Sequence, residues 1–70
     1  MRKSIYYLGL NIRAKRKERK WTQPQLAEKV GVDRKTIIAF ETAERLPRAD
    51  VLLLMAECFE CSIDELFEEV

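Results

Sequence analysis

Two helix boundaries separated by only two residues constrain this chain more than any other feature. Thr22-Gln23-Pro24-Gln25 carries the signals of a helix start. The threonine side chain can accept from the backbone three residues on, the glutamine at that position can return the bond, and proline sits in the first turn, where its missing N–H costs little. Gly31 is a matching stop, because glycine takes the left-handed conformation that closes a helix without steric penalty. Asp33 then caps the next helix, leaving Gly31 and Val32 alone between the two. A connection that short makes two helices cross sharply instead of folding back as a long hairpin.

The other helices are read from periodicity and caps. Ile5, Leu8 and Ile12 recur at helical spacing, which predicts a first helix from about Ile5 to Arg19 with Ser4 as N-cap and Arg13, Lys15, Lys17 and Lys20 on or beside its other faces. Trp21 and Leu26 stand where a hydrophobic staple forms around the start of the second helix, which closes at Gly31. The third helix runs from its Asp33 cap to about Thr42. Pro47 closes the following loop, and a fourth helix extends from about Ala49 to Phe59. Ser62-Ile63-Asp64-Glu65 is a second capping box, opening a short fifth helix through Phe67. Five short helices without a strand pattern describe one all-α domain over residues 1–70. The apolar share of 47% is enough for a single core in a chain of 70 residues.

Charge narrows the function. All 13 Lys and Arg lie in residues 1–48, with five acids, whereas residues 49–70 hold seven acids and no base. The chain is therefore electrically two-ended, and its basic part suits a polyanion partner or an ordinary solvated face; charge alone leaves both open. The N-terminal apolar stretch is broken by Gly9 and Asn11 and runs into a basic cluster, unlike a signal peptide. The longest apolar run, Val51 to Ala56, is far short of a membrane span. These features predict a cytoplasmic protein that makes no use of a membrane. With no His, no Gly-rich phosphate loop and no set of metal ligands, they argue against an enzyme, a cofactor or a metal site.

Residues 22–41, TQPQLAEKVGVDRKTIIAFE, resemble the helix-turn-helix of the Cro and phage-repressor type, the XRE family. Ala27 fits the small residue where the helices cross, Gly31 the turn, and Val32, Ile37 and Phe40 the apolar positions that dock the second helix of the motif on the first. Leu8-Gly9, Arg16, Glu41, Pro47, Leu52, Ala56 and Ser62 to Phe67 also fall at family spacing, so the resemblance covers roughly residues 8–67. It implies a compact five-helix, lambda-repressor-like fold that binds double-stranded DNA, with the motif at about residues 22–42. It also implies transcriptional regulation, most often repression, by a homodimer on a palindromic operator.

In that architecture the second helix of the motif enters the major groove with its N-terminal residues toward the base edges. Arg34, Lys35, Ile38 and Ala39 are the expected base readers: Arg34 can donate twice to guanine, and Ile38 and Ala39 can touch a thymine methyl. Gln23, Thr36, Thr42, Arg13 and Lys17 are expected on phosphates, and Arg2 and Lys3 are considered as a basic arm. The resemblance further pairs Arg16 with Glu41 as a structural ion pair tying the reading helix to the scaffold.

The chain departs from the family pattern at several turns. Thr42-Ala43 replaces a common Asn-Gly, which leaves open a longer reading helix or a different loop contact. Lys20 and Glu60 replace turn glycines, and Arg48 stands where a Ser cap is usual. Cys58 and Cys61 form a C-x-x-C that, without further ligands, reads as two free thiols, Cys61 in an apolar core position and Cys58 in a small helix-surface one, with a zinc site shared by both cysteine pairs of a dimer as the remote alternative. Val51, Leu54 and Cys58 fall on one stripe of helix four, beside a core stripe of Leu52, Met55, Ala56 and Phe59. That first stripe is either a dimer interface or a wider core. A protein-interaction module, such as an antitoxin using the acidic half, is the alternative to a DNA-binding regulator.

Overall fold

The computed structural model describes residues 2–70, with side chains from Ser4 onward. Its helices are α1 (Arg2–Glu18), α2 (Gln23–Val30), α3 (Arg34–Glu41), α4 (Ala49–Phe59) and α5 (Ile63–Leu66), with no strand among the described residues. This is the all-α, five-helix arrangement expected from the sequence. The side chains of Arg2 and Lys3, considered above as a basic arm, lie outside the described residues.

The caps that define the motif form as the residue types dictate. Thr22 Oγ1 accepts from the Gln25 amide at 3.2 Å while Gln25 Oε1 accepts from the Thr22 amide at 2.8 Å. Gly31 takes φ 75° and, with Val32, donates to the Ala27 carbonyl, closing α2. Asp33 Oδ1 accepts from the Thr36 amide at 2.9 Å and from its hydroxyl at 2.7 Å, bonds that hold the Asp33 carboxyl below its usual range. Ser62 and Glu65 repeat the reciprocal cap at α5. Arg48, by contrast, offers α4 no side-chain cap, and Asp50 Oδ1 accepts from the Val51 amide at 2.9 Å instead.

The start of α1 and the end of α5 differ from the sequence reading, and the end of α3, left open there, is decided. Ser4 is inside α1, not its cap, because the helix starts at Arg2. The N-terminal half of α1 is held by the end of the chain: Tyr7 donates to Glu69 at 3.0 Å and Asn11 donates to the carbonyls of Leu66 and Glu68 at 2.9 and 2.8 Å. The bond to Glu69 raises the Tyr7 pKa above its ordinary value. α3 does not gain a turn, since Ala43 adopts φ 63° and Glu44 donates back to the Ala39 carbonyl at 2.9 Å. Lys20 and Glu60 are left-handed too, at φ 59° and 54°. All three corners thus keep the backbone that glycine would favour, at a cost of about 1–2 kcal/mol each. α5 ends at Leu66, with Phe67 as its C-cap.

One core joins all five helices. Leu8 and Ile12 of α1, Leu26, Ala27 and Val30 of α2, Ile37 and Phe40 of α3, Val51, Met55, Ala56 and Phe59 of α4, and Leu66 of α5 are buried together. Each large member contributes roughly 1.5–3 kcal/mol by leaving water. Trp21 stacks on Phe59 with centroids 5.9 Å apart. The Arg19 guanidinium lies 5.8 Å from the Trp21 ring and 5.4 Å from the Phe59 ring, and donates to the Phe59 carbonyl at the end of α4.

The α4 stripe is divided between core and surface. Val51 is 8% exposed and belongs to the core, while Cys58 and Cys61 are half-buried against it. Burial pushes the Cys61 thiol pKa up. The expected core residue Leu52 is only partly buried. The helix turns by about 100° per residue, which puts Leu53 and Leu54 outward, at 56% and 40% exposure. Of the three stripe residues, only Leu54 faces solvent.

α1 meets α3 backbone to backbone at Gly9. A Cβ there would stand 2.7 Å from the Phe40 carbonyl oxygen and 2.8 Å from that of Glu41, and neither can swing aside as a side chain would. Gly9→Ala is therefore expected to force the helices apart and cost roughly 1–3 kcal/mol, as overpacking does. A urea midpoint that falls with an unchanged slope is the expected reading; an unmoved midpoint would show that the two helices part freely.

Candidate nucleic-acid interface

α3 has two faces with different tasks. Ile37 and Phe40 are buried, fixing the helix on α1 and α2. Arg34 and Lys35 are exposed in its first turn, and Ile38 and Ala39 lie half-exposed one turn further on. These four are the residues named above as base readers, and the fold brings them onto one outer surface, as i, i+4 pairs on a helix must lie.

The helix is anchored by a network around Arg16 and Glu41. Arg16 Nε donates to Glu41 Oε2 at 2.7 Å and Nη2 to Oε1 at 3.2 Å, a two-point contact with side chains only 10% and 4% exposed. Arg16 Nη1 also donates to the Trp21 carbonyl at 2.9 Å. Gln23, on the first turn of α2, donates its amide to Glu41 Oε1 at 3.2 Å. One carboxylate at the end of α3 thus collects bonds from α1 and α2, and Arg16 reaches the loop between them. No buried side-chain nitrogen or oxygen among the described residues is left without a partner.

The groups considered for phosphate contact divide by what already holds them. Arg13 and Lys17 are exposed on α1. Gln23 lies with Thr22, Pro24, Arg16 and Arg34 along one open groove between the starts of α2 and α3. The hydroxyls of Thr36 and Thr42 are engaged inside the chain, the first on Asp33 and the second on the Ile38 carbonyl at 2.9 Å. Lys15 turns toward Glu65, 4.0 Å away, and Arg19 toward the end of α4, so the basic part of α1 is less free than its charge count implies. The sequence reading missed Arg19 as a structural residue, and the basic run that contains it hid the signal. It also missed Leu46, 55% exposed in the loop before α4. Among the described residues no helix is long and apolar enough to cross a membrane.

The profile of the helix-turn-helix family matches residues 12–66, which take in α2, the Gly31 turn, α3 and the Arg16–Glu41 pair. The chain belongs to the helix-turn-helix family. It is a DNA-binding domain of the XRE, or repressor, type. The helix-turn-helix domain is 34% identical over 53 residues to YobD of Bacillus subtilis (strain 168), an uncharacterized HTH-type transcriptional regulator. That match takes in 76% of this chain and 47% of YobD, so the chain spans about half the length of this relative. Among solved structures, the P22 c2 repressor in complex with synthetic operator 9T superposes with a TM-score of 0.83 at 36% identity, over 87% of this chain and 92% of that one. The restriction-modification controller protein C.AhdI from Aeromonas hydrophila gives a TM-score of 0.82 at 25% identity, over 90% and 96% of the two chains.

Breaking the anchor tests its place in the helix-turn-helix domain. Glu41→Ala leaves the buried Arg16 guanidinium without its carboxylate, and is expected to cost roughly 3–5 kcal/mol. Set against total stabilities of about 5–15 kcal/mol, that loss is large enough to lower the melting midpoint steeply. Circular dichroism melts of the variant and of Glu41→Gln, which keeps the shape and part of the bonding, measure this; an unshifted Glu41→Ala melt would remove the pair from the scaffold.

Proposed function

We propose that this domain is a cytoplasmic, sequence-specific transcriptional repressor that inserts α3 into the major groove of a palindromic operator as a homodimer. The observation that carries the reading is the outer face of α3: Arg34, Lys35, Ile38 and Ala39 stand together on a helix whose opposite face is locked into the core. The likeness to a repressor described in complex with its operator supports it. In this reading Arg34 and Lys35 meet base edges first and Ile38 and Ala39 follow along the groove. Arg13, Lys17 and Gln23 hold phosphates, with the Gln23 amide pre-set by Glu41. Thr36 and Thr42 join them by turning their hydroxyls from Asp33 and from the Ile38 carbonyl to a phosphate oxygen.

In this reading the homodimer forms through the exposed face of α4. Leu54 stands in a cleft that also takes in Leu46, Val32 and the buried Val51, and Leu53 lies beside Leu54 in sequence. Cys58 sits one turn beyond Leu54, half-buried, at the edge of this surface. A two-fold axis through it would set two α3 helices about 34 Å apart and demand half-sites one helical turn apart.

Affinity for a selected operator and for random duplex DNA, measured across a salt series, tests the proposal. The expected result is a steep fall of affinity with salt on both, because phosphate contacts release counterions, together with a clear preference for the operator. Leu54→Lys is expected to sediment as a monomer and lose most operator affinity while keeping its helical signal. Weak binding that ignores sequence would overturn base reading and favour the protein-interaction module; dimers retained in Leu54→Lys would overturn the α4 interface.

A further inference from the structure

The outer face of α3 is rich in donors and methyl groups and poor in acceptors, and that imbalance restricts which bases it can read. Arg34 and Lys35 carry N–H donors only, and both are exposed. Ile38 and Ala39, one turn on, offer only hydrocarbon. Adenine is read in two-point fashion by Asn or Gln, and cytosine by a carboxylate. α3 contains no Asn or Gln. Its own carboxylate, Glu41, is turned inward onto Arg16 and Gln23. Asp33, just before the helix, holds the amide and hydroxyl of Thr36 in the cap. Thr36 and Thr42 carry one hydroxyl each, spent on Asp33 and the Ile38 carbonyl in the free chain and on phosphate in the proposed complex, so neither makes a two-point contact with a base.

Resting on the reading of α3 as the base-contacting helix, we infer that each half-site of the operator is recognised through guanine and thymine edges. Guanine presents the two acceptors, N7 and O6, that match the Arg34 guanidinium, and thymine presents the methyl that matches Ile38 or Ala39. The spacing follows from helix geometry: Arg34 and Ile38 are four residues apart, so they are separated by about 6 Å along α3. Base pairs stack at about 3.4 Å, so the two contacts fall at most about two base steps apart. Lys35 and Ala39 repeat the same donor–methyl offset one residue over, so α3 carries two copies of one pattern.

Selection of tight sites from a random duplex library with the full chain gives the probe, and single-atom changes in the selected duplex give the test. Replacing the guanine by 7-deazaguanine removes N7, and replacing thymine by deoxyuridine removes the methyl. The expected loss for the unmodified protein is about fivefold or more for the guanine change, the lower end for a two-point contact. A smaller loss is expected for the thymine change. Arg34→Ala should bind the intact duplex and the one with 7-deazaguanine at the guanine that Arg34 meets equally, and Ile38→Ser with Ala39→Ser, which puts hydroxyls in place of the hydrocarbon, should lose most of its distinction between thymine and deoxyuridine. Selected sites whose affinity rests on adenine or cytosine amino groups, and is indifferent to both replacements, would overturn the inference while leaving operator binding intact. If no site is preferred over random DNA, base reading by α3 falls as a whole.

Discussion

The Arg16 guanidinium cannot remain unpaired where the fold puts it, and the rest of the molecule is arranged around satisfying it. Its planar fork meets the Glu41 carboxylate at two points, and its remaining nitrogen meets the Trp21 carbonyl. A buried pair of this kind adds little net stability compared with apolar packing, because desolvation offsets the attraction. Its value here is positional. It fixes the C-terminal end of α3 relative to α1, while the Asp33 cap and the Gly31 turn fix the other end relative to α2. A short helix of eight residues held at both ends has little freedom to rotate. The outer side chains inherit that fixity, which the base reading proposed for them requires.

Gly9 makes the same point from the opposite side. The ion pair draws α1 and α3 together, and the absence of a side chain at Gly9 lets them meet with carbonyl oxygens closer than any Cβ would allow. Attraction and permitted approach therefore act a few residues apart on the same pair of helices. The Arg19 cluster ties the far end of α1 to α4 in a comparable way, with a guanidinium set against two aromatic rings and a terminal carbonyl. α1 is thus basic for two reasons: some of its cations face solvent, and others are internal fasteners.

Where a local bond decided the structure, the residues could be read in advance. Thr22 with Gln25, Ser62 with Glu65, Asp33 with Thr36, and Gly31 all do in the fold what their types and spacing imply. The outward placement of Arg34, Lys35, Ile38 and Ala39 follows from the same spacing once Ile37 and Phe40 point in. Errors came where a distant partner decided. α1 starts before Ser4, and the tail of the chain supplies the bonds that hold its N-terminal half, sixty-odd residues away for Tyr7. On α4, apolar residues at every position from Val51 to Ala56 leave periodicity without contrast. Spacing alone could not tell Val51, which the core takes, from Leu53, which it leaves out.

The three left-handed corners have a consequence for how this domain can change. Ala43 and Glu60 sit in backbone that glycine occupies freely, and the genetic code puts glycine a single nucleotide from either. Relief of that strain touches neither the core nor the outer face of α3. Cellular abundance of a small regulator tracks the fraction of chains unfolded and exposed to proteases. Glycine at either turn is therefore expected to raise how much of the protein a cell holds, separably by inheritance from what the protein recognises.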